Sequence, residues 1–110
     1  MFTSVFVKRS LVPDAGVSEI LGALAGPGIA AEMSYTGRVY DAQWAIAKGL
    51  VNDVFPADEL LSQAESLANE IAANPPLAVK AIKALLNSHY PDLNKVIETE
   101  HRANDPLLGT

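Results

Sequence analysis

The residue in this chain best suited to acid–base chemistry is Asp14, which stands in Leu11-Val12-Pro13-Asp14-Ala15-Gly16, a loop punctuated by Pro13 and Gly16. A carboxylate set against an apolar wall such as Leu11 and Val12 gains basicity as it loses hydration, and can then carry a proton on and off carbon. A plainer role is open to the same residue. An aspartate in a Pro-Asp-x-Gly turn also organises the turn by bonding to the backbone amides that follow it. Other polar groups carry less chemistry. His89 and His101 lie far apart on different predicted helices, so no metal site is expected. Ser10 and Ser18 have no histidine nearby to activate them. Gly26-Pro27-Gly28 lacks the Lys-Ser/Thr that follows a phosphate loop. The chain has no cysteine, which removes disulfides, thiolate nucleophiles and thiolate metal sites together.

The composition narrows the setting in which these groups act. With 110 residues the chain suits one small core, and with 49% hydrophobic residues it is too apolar for a disordered segment. Alanine and leucine dominate that fraction, which favours helix over strand. The net charge is −5, and Lys8-Arg9 is too short a basic run for a nucleic-acid surface. No apolar stretch approaches the roughly 20 residues that span a bilayer. At the N-terminus the charges follow the apolar residues, the wrong order for a secretory signal. A cytoplasmic location is the expectation.

The elements that must position Asp14 follow from hydrophobic period and breakers. Residues 2–7 carry β-formers and read as a short strand, and residues 50–54 read as a second. Residues 17–24 and 29–33 read as two short helices separated by Gly26-Pro27-Gly28, the second stopped by Thr36-Gly37-Arg38. Asp41 is an N-cap for 42–48, with Gly49 as the stop and Trp44 packed beneath. Residues 57–73 give the clearest helix, with Leu60, Leu61, Ala64, Leu67, Ala68 and Ile71 on one stripe. Asn74-Pro75-Pro76 ends it and starts the next, which buries Ala78, Ile82, Leu85 and Leu86. A last helix starts at Pro91 or Asp92, buries Leu93, Val96 and Ile97, and turns Glu98, Glu100 and Arg102 to water. The expected core is Leu21, Leu24, Trp44, Ile46, Leu50, Leu60, Leu61, Leu67, Ile71, Ile82, Leu85 and Val96.

The order of these pieces resembles one family. Leu11-Val-Pro-Asp-Ala-Gly16, Ala30-Ala31-Glu32-Met33 and Thr36-Gly37-Arg38 come first, followed by Asp41-Ala42 through Lys48-Gly49-Leu50-Val51-Asn52. Phe55-Pro56, Glu59-Leu60, Ile71-Ala72 and Pro75-Pro76-Leu77-Ala78-Val79-Lys80 then continue without a gap. No single piece is diagnostic, but the ordered series is similar to the middle and C-terminal part of enoyl-CoA hydratase/isomerase (crotonase) chains. The resemblance implies a mainly α fold, the C-terminal helical region of a crotonase-like fold with one or two short strands and most of the ββα spiral core absent. Residues 1–16 would be the end of the spiral core with the active-site loop. Residues 17–110 would be a helical capping and oligomerisation region.

The resemblance also implies an acyl-CoA thioester substrate, CoA entering as part of that substrate, and no other cofactor. It implies a homo-oligomer, trimer-based in the intact family. Neither a nucleic-acid partner nor a membrane span is expected. Asp14 matches the aspartate that shuttles a proton on the acyl chain in family isomerases, and Phe6, Leu11, Val12, Ala15 and Gly16 would line the substrate around it. Hydratases of the family place a glutamate eight residues before the position of Asp14; here that residue is Phe6, an acyl-pocket wall or a core residue. The departure favours a double-bond shift over hydration. Lys80 and Lys83 would meet a CoA phosphate or simply face water. The two backbone N–H groups that bind the thioester oxygen in the family precede the matched segment, so the chain alone is expected to be inactive. The alternative is a non-catalytic helical module that binds copies of itself or a related chain.

Overall fold

The computed structural model describes residues 1–109. In chain order the elements are β1 (Phe2–Thr3), a 3-10 turn (Val5–Arg9), α1 (Val17–Thr36), β2 (Val39–Tyr40), α2 (Ala42–Ala47), α3 (Leu60–Ala72), α4 (Pro76–Asn87), α5 (Leu93–Asn104) and a closing 3-10 turn (Asp105–Leu107). The mainly helical architecture follows the Ala/Leu bias. Two compact units make up the chain, one of Met1–Asp53 with Asp92–Thr110 and the other of Val54–Pro91. No helix among the described residues is long and apolar enough to cross a membrane.

In the first unit β1 and β2 pair antiparallel, Phe2 opposite Tyr40 and Thr3 opposite Val39. The strand expected over 2–7 is thus only two residues long, and Val5–Arg9 turns as a 3-10 helix instead. Its partner sets the limit. β2 is bounded by Gly37, left-handed at the end of α1, and by Asp41, the cap of α2, which leaves only Arg38, Val39 and Tyr40 between them, and the last two pair. The second strand expected at 50–54 does not form. Leu50 donates its N–H to the Ala45 carbonyl at 2.9 Å and Gly49 to Ile46 at 3.3 Å, so the start of that segment closes α2 instead of entering a sheet. The second strand lies at Val39–Tyr40.

The two helices expected around Gly26 form as two helical segments of α1, separated at Gly26, whose backbone is not helical (φ 84°, ψ 163°), just before Pro27. Its end is as expected: Gly37 is left-handed at φ 60° and its N–H bonds to the Met33 carbonyl at 3.0 Å. Asp41 caps α2 through Oδ1, which accepts from the Trp44 N–H at 2.8 Å. Trp44 is half-buried and stacks on Tyr40, centroids 3.7 Å apart, while the Tyr40 hydroxyl donates to Glu32.

In the second unit α3 begins at Leu60, with 57–59 as a turn bonded to the Pro56 carbonyl, and α4 begins at Pro76 as the sequence predicts. Their apolar stripes remain in water. Leu60, Leu61, Leu67, Ile71, Ile82 and Leu85 are exposed, as is Leu24 of α1, so these seven residues of the expected core are not core. Leu21, Trp44, Ile46, Leu50 and Val96 are half-buried, and the fully buried apolar residues are Met33 and Ala45. The helical period located the stripes correctly. Period alone does not supply the second layer that an amphipathic helix needs.

Candidate active site

The loop that carries Asp14 is built from both of its ends. On the incoming side the Val5–Arg9 turn ends at Ser10, which is left-handed at φ 57°, and Leu11 donates its N–H to the Phe6 carbonyl at 3.0 Å. That bond brings Phe6 and Leu11, two of the expected substrate-lining residues, to the same corner. On the outgoing side the chain reverses through two left-handed residues in succession, Ala15 (φ 55°) and Gly16 (φ 84°), before α1 begins. Glycine adopts this conformation freely, whereas an alanine there costs roughly 1–2 kcal/mol. Val17 then donates to the Asp14 carbonyl at 3.0 Å.

Asp14 and Ala15 are exposed, Phe6, Leu11, Val12 and Pro13 are half-buried, and Gly16 is buried. The Asp14 carboxylate therefore stands at the tip of a fixed turn and is open to solvent. Its own side chain does not organise that turn. Glu100 takes the amide that an Asp-centred turn would use, Gly16 donating to Oε1 at 2.7 Å, and also accepts from the Ser18 N–H through Oε2 at 3.3 Å. α1 thus receives its N-terminal cap from a side chain of α5, and the carboxylate sits where the helix dipole favours negative charge.

One helical turn further on, Asn104 holds the other side of the loop. Val12 donates its N–H to Asn104 Oδ1 at 2.9 Å, and Asn104 Nδ2 donates to the Val12 carbonyl at 3.2 Å. Expected on the wet side of its helix, Glu100 is only 4% exposed. The reason is positional. Leu93, Val96, Ile97, Glu100 and Asn104 follow the i, i+3, i+4 period, so Glu100 continues the buried stripe. A charged side chain favours the wet face, but its place on the stripe decides its burial. Glu98 and Arg102 do face water, where they form an exposed ion pair.

The remaining sequence candidates stay apart from this loop. Lys80 and Lys83 are exposed on α4, and Lys83 helps line an open groove of about 330 Å³ with Ile71, Val79, Ile82 and Leu86. His89 and His101 are exposed. No group of three His, Cys, Asp or Glu among the described residues is arranged to hold a metal ion.

The family profile described as Enoyl-CoA hydratase/isomerase matches residues 1–105. The chain belongs to the enoyl-CoA hydratase/isomerase family. It is 42% identical over 81 residues to the mitochondrial Delta(3,5)-Delta(2,4)-dienoyl-CoA isomerase of Dictyostelium discoideum, covering 73% of this chain and 28% of that protein. It is 36% identical over 105 residues to the short-chain-enoyl-CoA hydratase of Clostridium acetobutylicum, covering 94% of this chain and 40% of that protein. Among solved structures, the enoyl-CoA hydratase/isomerase of Pseudoalteromonas atlantica T6c superimposes with a TM-score of 0.89 at 28% identity, over 99% of this chain and 44% of that one. The chain therefore spans less than half the length of these relatives, and its fold is the helical portion of a crotonase-like enzyme.

Proposed function

We propose that the chain is the part of an acyl-CoA-processing enzyme that supplies a proton carrier, Asp14, for a double-bond shift along the acyl chain. The observation that carries this reading is the placement of Asp14, with its carboxylate in the open at the tip of a turn whose backbone is fixed on both sides. In the shift, Asp14 takes a proton from the α-carbon, the electron pair delocalises into the thioester as an enolate, and the proton returns at the γ-carbon. The balance closes with no metal and no redox cofactor, CoA being part of the substrate. Phe6, where a hydratase glutamate would stand, has no proton to exchange with water, which favours the shift over hydration. Phe6, Leu11, Val12, Ala15 and Gly16 line the approach to the carboxylate.

The enolate oxygen needs two backbone N–H donors, which in the resemblance lie ahead of residues 1–110. Such donors are each worth on the order of 10²–10³ in rate. The isolated chain should accordingly show no isomerase or hydratase turnover above background on short and medium enoyl-CoA thioesters. Turnover abolished by Asp14→Asn would overturn the inactivity, and turnover indifferent to Asp14→Asn would overturn the role of Asp14. Water addition in preference to a double-bond shift would overturn the isomerase preference.

A second reading, a non-catalytic module that assembles with copies of itself, is favoured by the uncovered stripes of α3 and α4. Leu61, Leu77 and Leu85 are 71%, 81% and 66% exposed. Oligomers that do not bind an acyl-CoA would support it against the first.

A further inference from the structure

Asp14 lies between two fixed points, Val12 and Gly16, each two residues away, and both are held from one face of α5. Three observations bear on what this does. The turn contains a non-glycine residue, Ala15, in the left-handed region, a conformation that persists only where the surroundings impose it. The groups that impose it, Glu100 and Asn104, are four residues apart and project from the same side of their helix. Glu100 is buried and gives both carboxylate oxygens to loop and helix amides, while Asn104 binds both the N–H and the C=O of Val12. A surface loop otherwise samples many conformations, and two bidentate braces remove that freedom.

We propose that Glu100 and Asn104 are positioning residues that fix the Asp14 loop in the geometry from which its carboxylate meets the substrate. The proposal rests on the assignment of Asp14 as proton carrier. Neither residue touches the reacting atoms; both act through the backbone on either side of Asp14. A strained turn is thereby kept ready in the absence of ligand, so binding energy is not consumed in forming it. The signals that tie α5 to the active loop are 84 and 92 residues apart in sequence.

The test uses the whole 110-residue chain, isotopically labelled and without substrate. Amide hydrogen exchange at Val12, Gly16 and Ser18 is read together with the one-bond Cα–Hα coupling of Ala15, which a positive φ lowers below its value at negative φ. In Asn104→Ala, exchange at Val12 should rise about tenfold or more, and the Ala15 coupling should move toward its average over several conformations. Glu100→Gln, which keeps one acceptor oxygen, should retain protection at one of the amides of Gly16 and Ser18, while Glu100→Ala should lose both. Gly16 and Ser18 should stay protected in Asn104→Ala, because Glu100 still holds both amides; a general loss of packing would expose them together with Val12. If Glu100→Ala does not fold, Asn104→Ala leaves the cap intact and still decides. Unchanged exchange at Val12 in Asn104→Ala, or an unchanged Ala15 coupling after protection is lost, would overturn the proposal. These readings need no substrate, so a failed brace is distinguished from a failed role for Asp14, which the Asp14→Asn assay addresses.

Discussion

At the scale of single residues, several left-handed backbone positions in the first unit set where elements stop and start. Ser10, Ala15, Gly16, Gly26, Gly37 and Gly49 each sit at a turn, a kink or a helix end. Gly37 is the most constrained by its neighbours. A Cβ there would lie 2.8 Å from Lys8 Cγ and 3.1 Å from Val7 Cγ1, and the backbone is at φ 60°. The Gly37 carbonyl also accepts from the Thr3 hydroxyl beside the β1–β2 pair. Gly37→Ala therefore meets both a left-handed penalty of roughly 1–2 kcal/mol and a clash with the 3-10 turn that leads to the Asp14 loop. It should lower the thermal midpoint of the chain by several degrees. An unchanged midpoint would show that Lys8 and Val7 move aside and that the turn does not depend on Gly37.

At the scale of elements, local chemistry was largely legible because it is local. Asp41 three residues before Trp44, Gly49 after α2, Pro76 at the start of α4 and Asp92 before α5 are each a cap or stop whose partners lie within a few residues, and each acts as read. What failed to show depends on distant partners. The length of β1 is set by Tyr40 and Val39, some 36 to 38 residues on. The burial of Glu100 is set by Gly16 and Ser18. Asp14 was identified by type and resemblance, but its braces lie on another helix, and only the spacing of Glu100 from Val96 and Ile97 hinted at them. The caps themselves are testable. α2 has six residues, too few to be stable alone, so the Asp41 bond to Trp44 is a large share of what holds it. Asp41→Ala should destabilise the chain by about 0.5–2 kcal/mol and Asp41→Asn by much less, read by denaturant unfolding with Trp44 fluorescence. Equal midpoints for the two variants would show that the Tyr40–Trp44 stack, not the cap, anchors the helix.

At the scale of the whole molecule the apolar area left in water decides behaviour. In the Val54–Pro91 unit, α3 and α4 meet at Asn74-Pro75 and share few contacts beyond it, leaving an open groove lined by Ile71, Val79, Ile82 and Leu86. Leu60, Leu61, Leu67, Leu77 and Leu85 add to the uncovered surface. Burying one leucine or isoleucine side chain is worth roughly 1.5–3 kcal/mol, so an arrangement that covers even a few of these residues outweighs a substantial association cost. The charged residues of α3 and α4, among them Glu65, Glu70, Lys80 and Lys83, are of both signs, so no single-sign field keeps copies apart. The chain should therefore self-associate at micromolar concentration, giving a light-scattering mass above that of one 11.7 kDa chain and binding a hydrophobic dye when diluted. Leu61→Lys and Leu85→Glu, placed on the exposed stripes, should shift the mass toward the monomer without lowering helix content. A compact monomer that unfolds cooperatively and binds no dye would refute this, because it would show that the stripes of α3 and α4 are satisfied within a single chain.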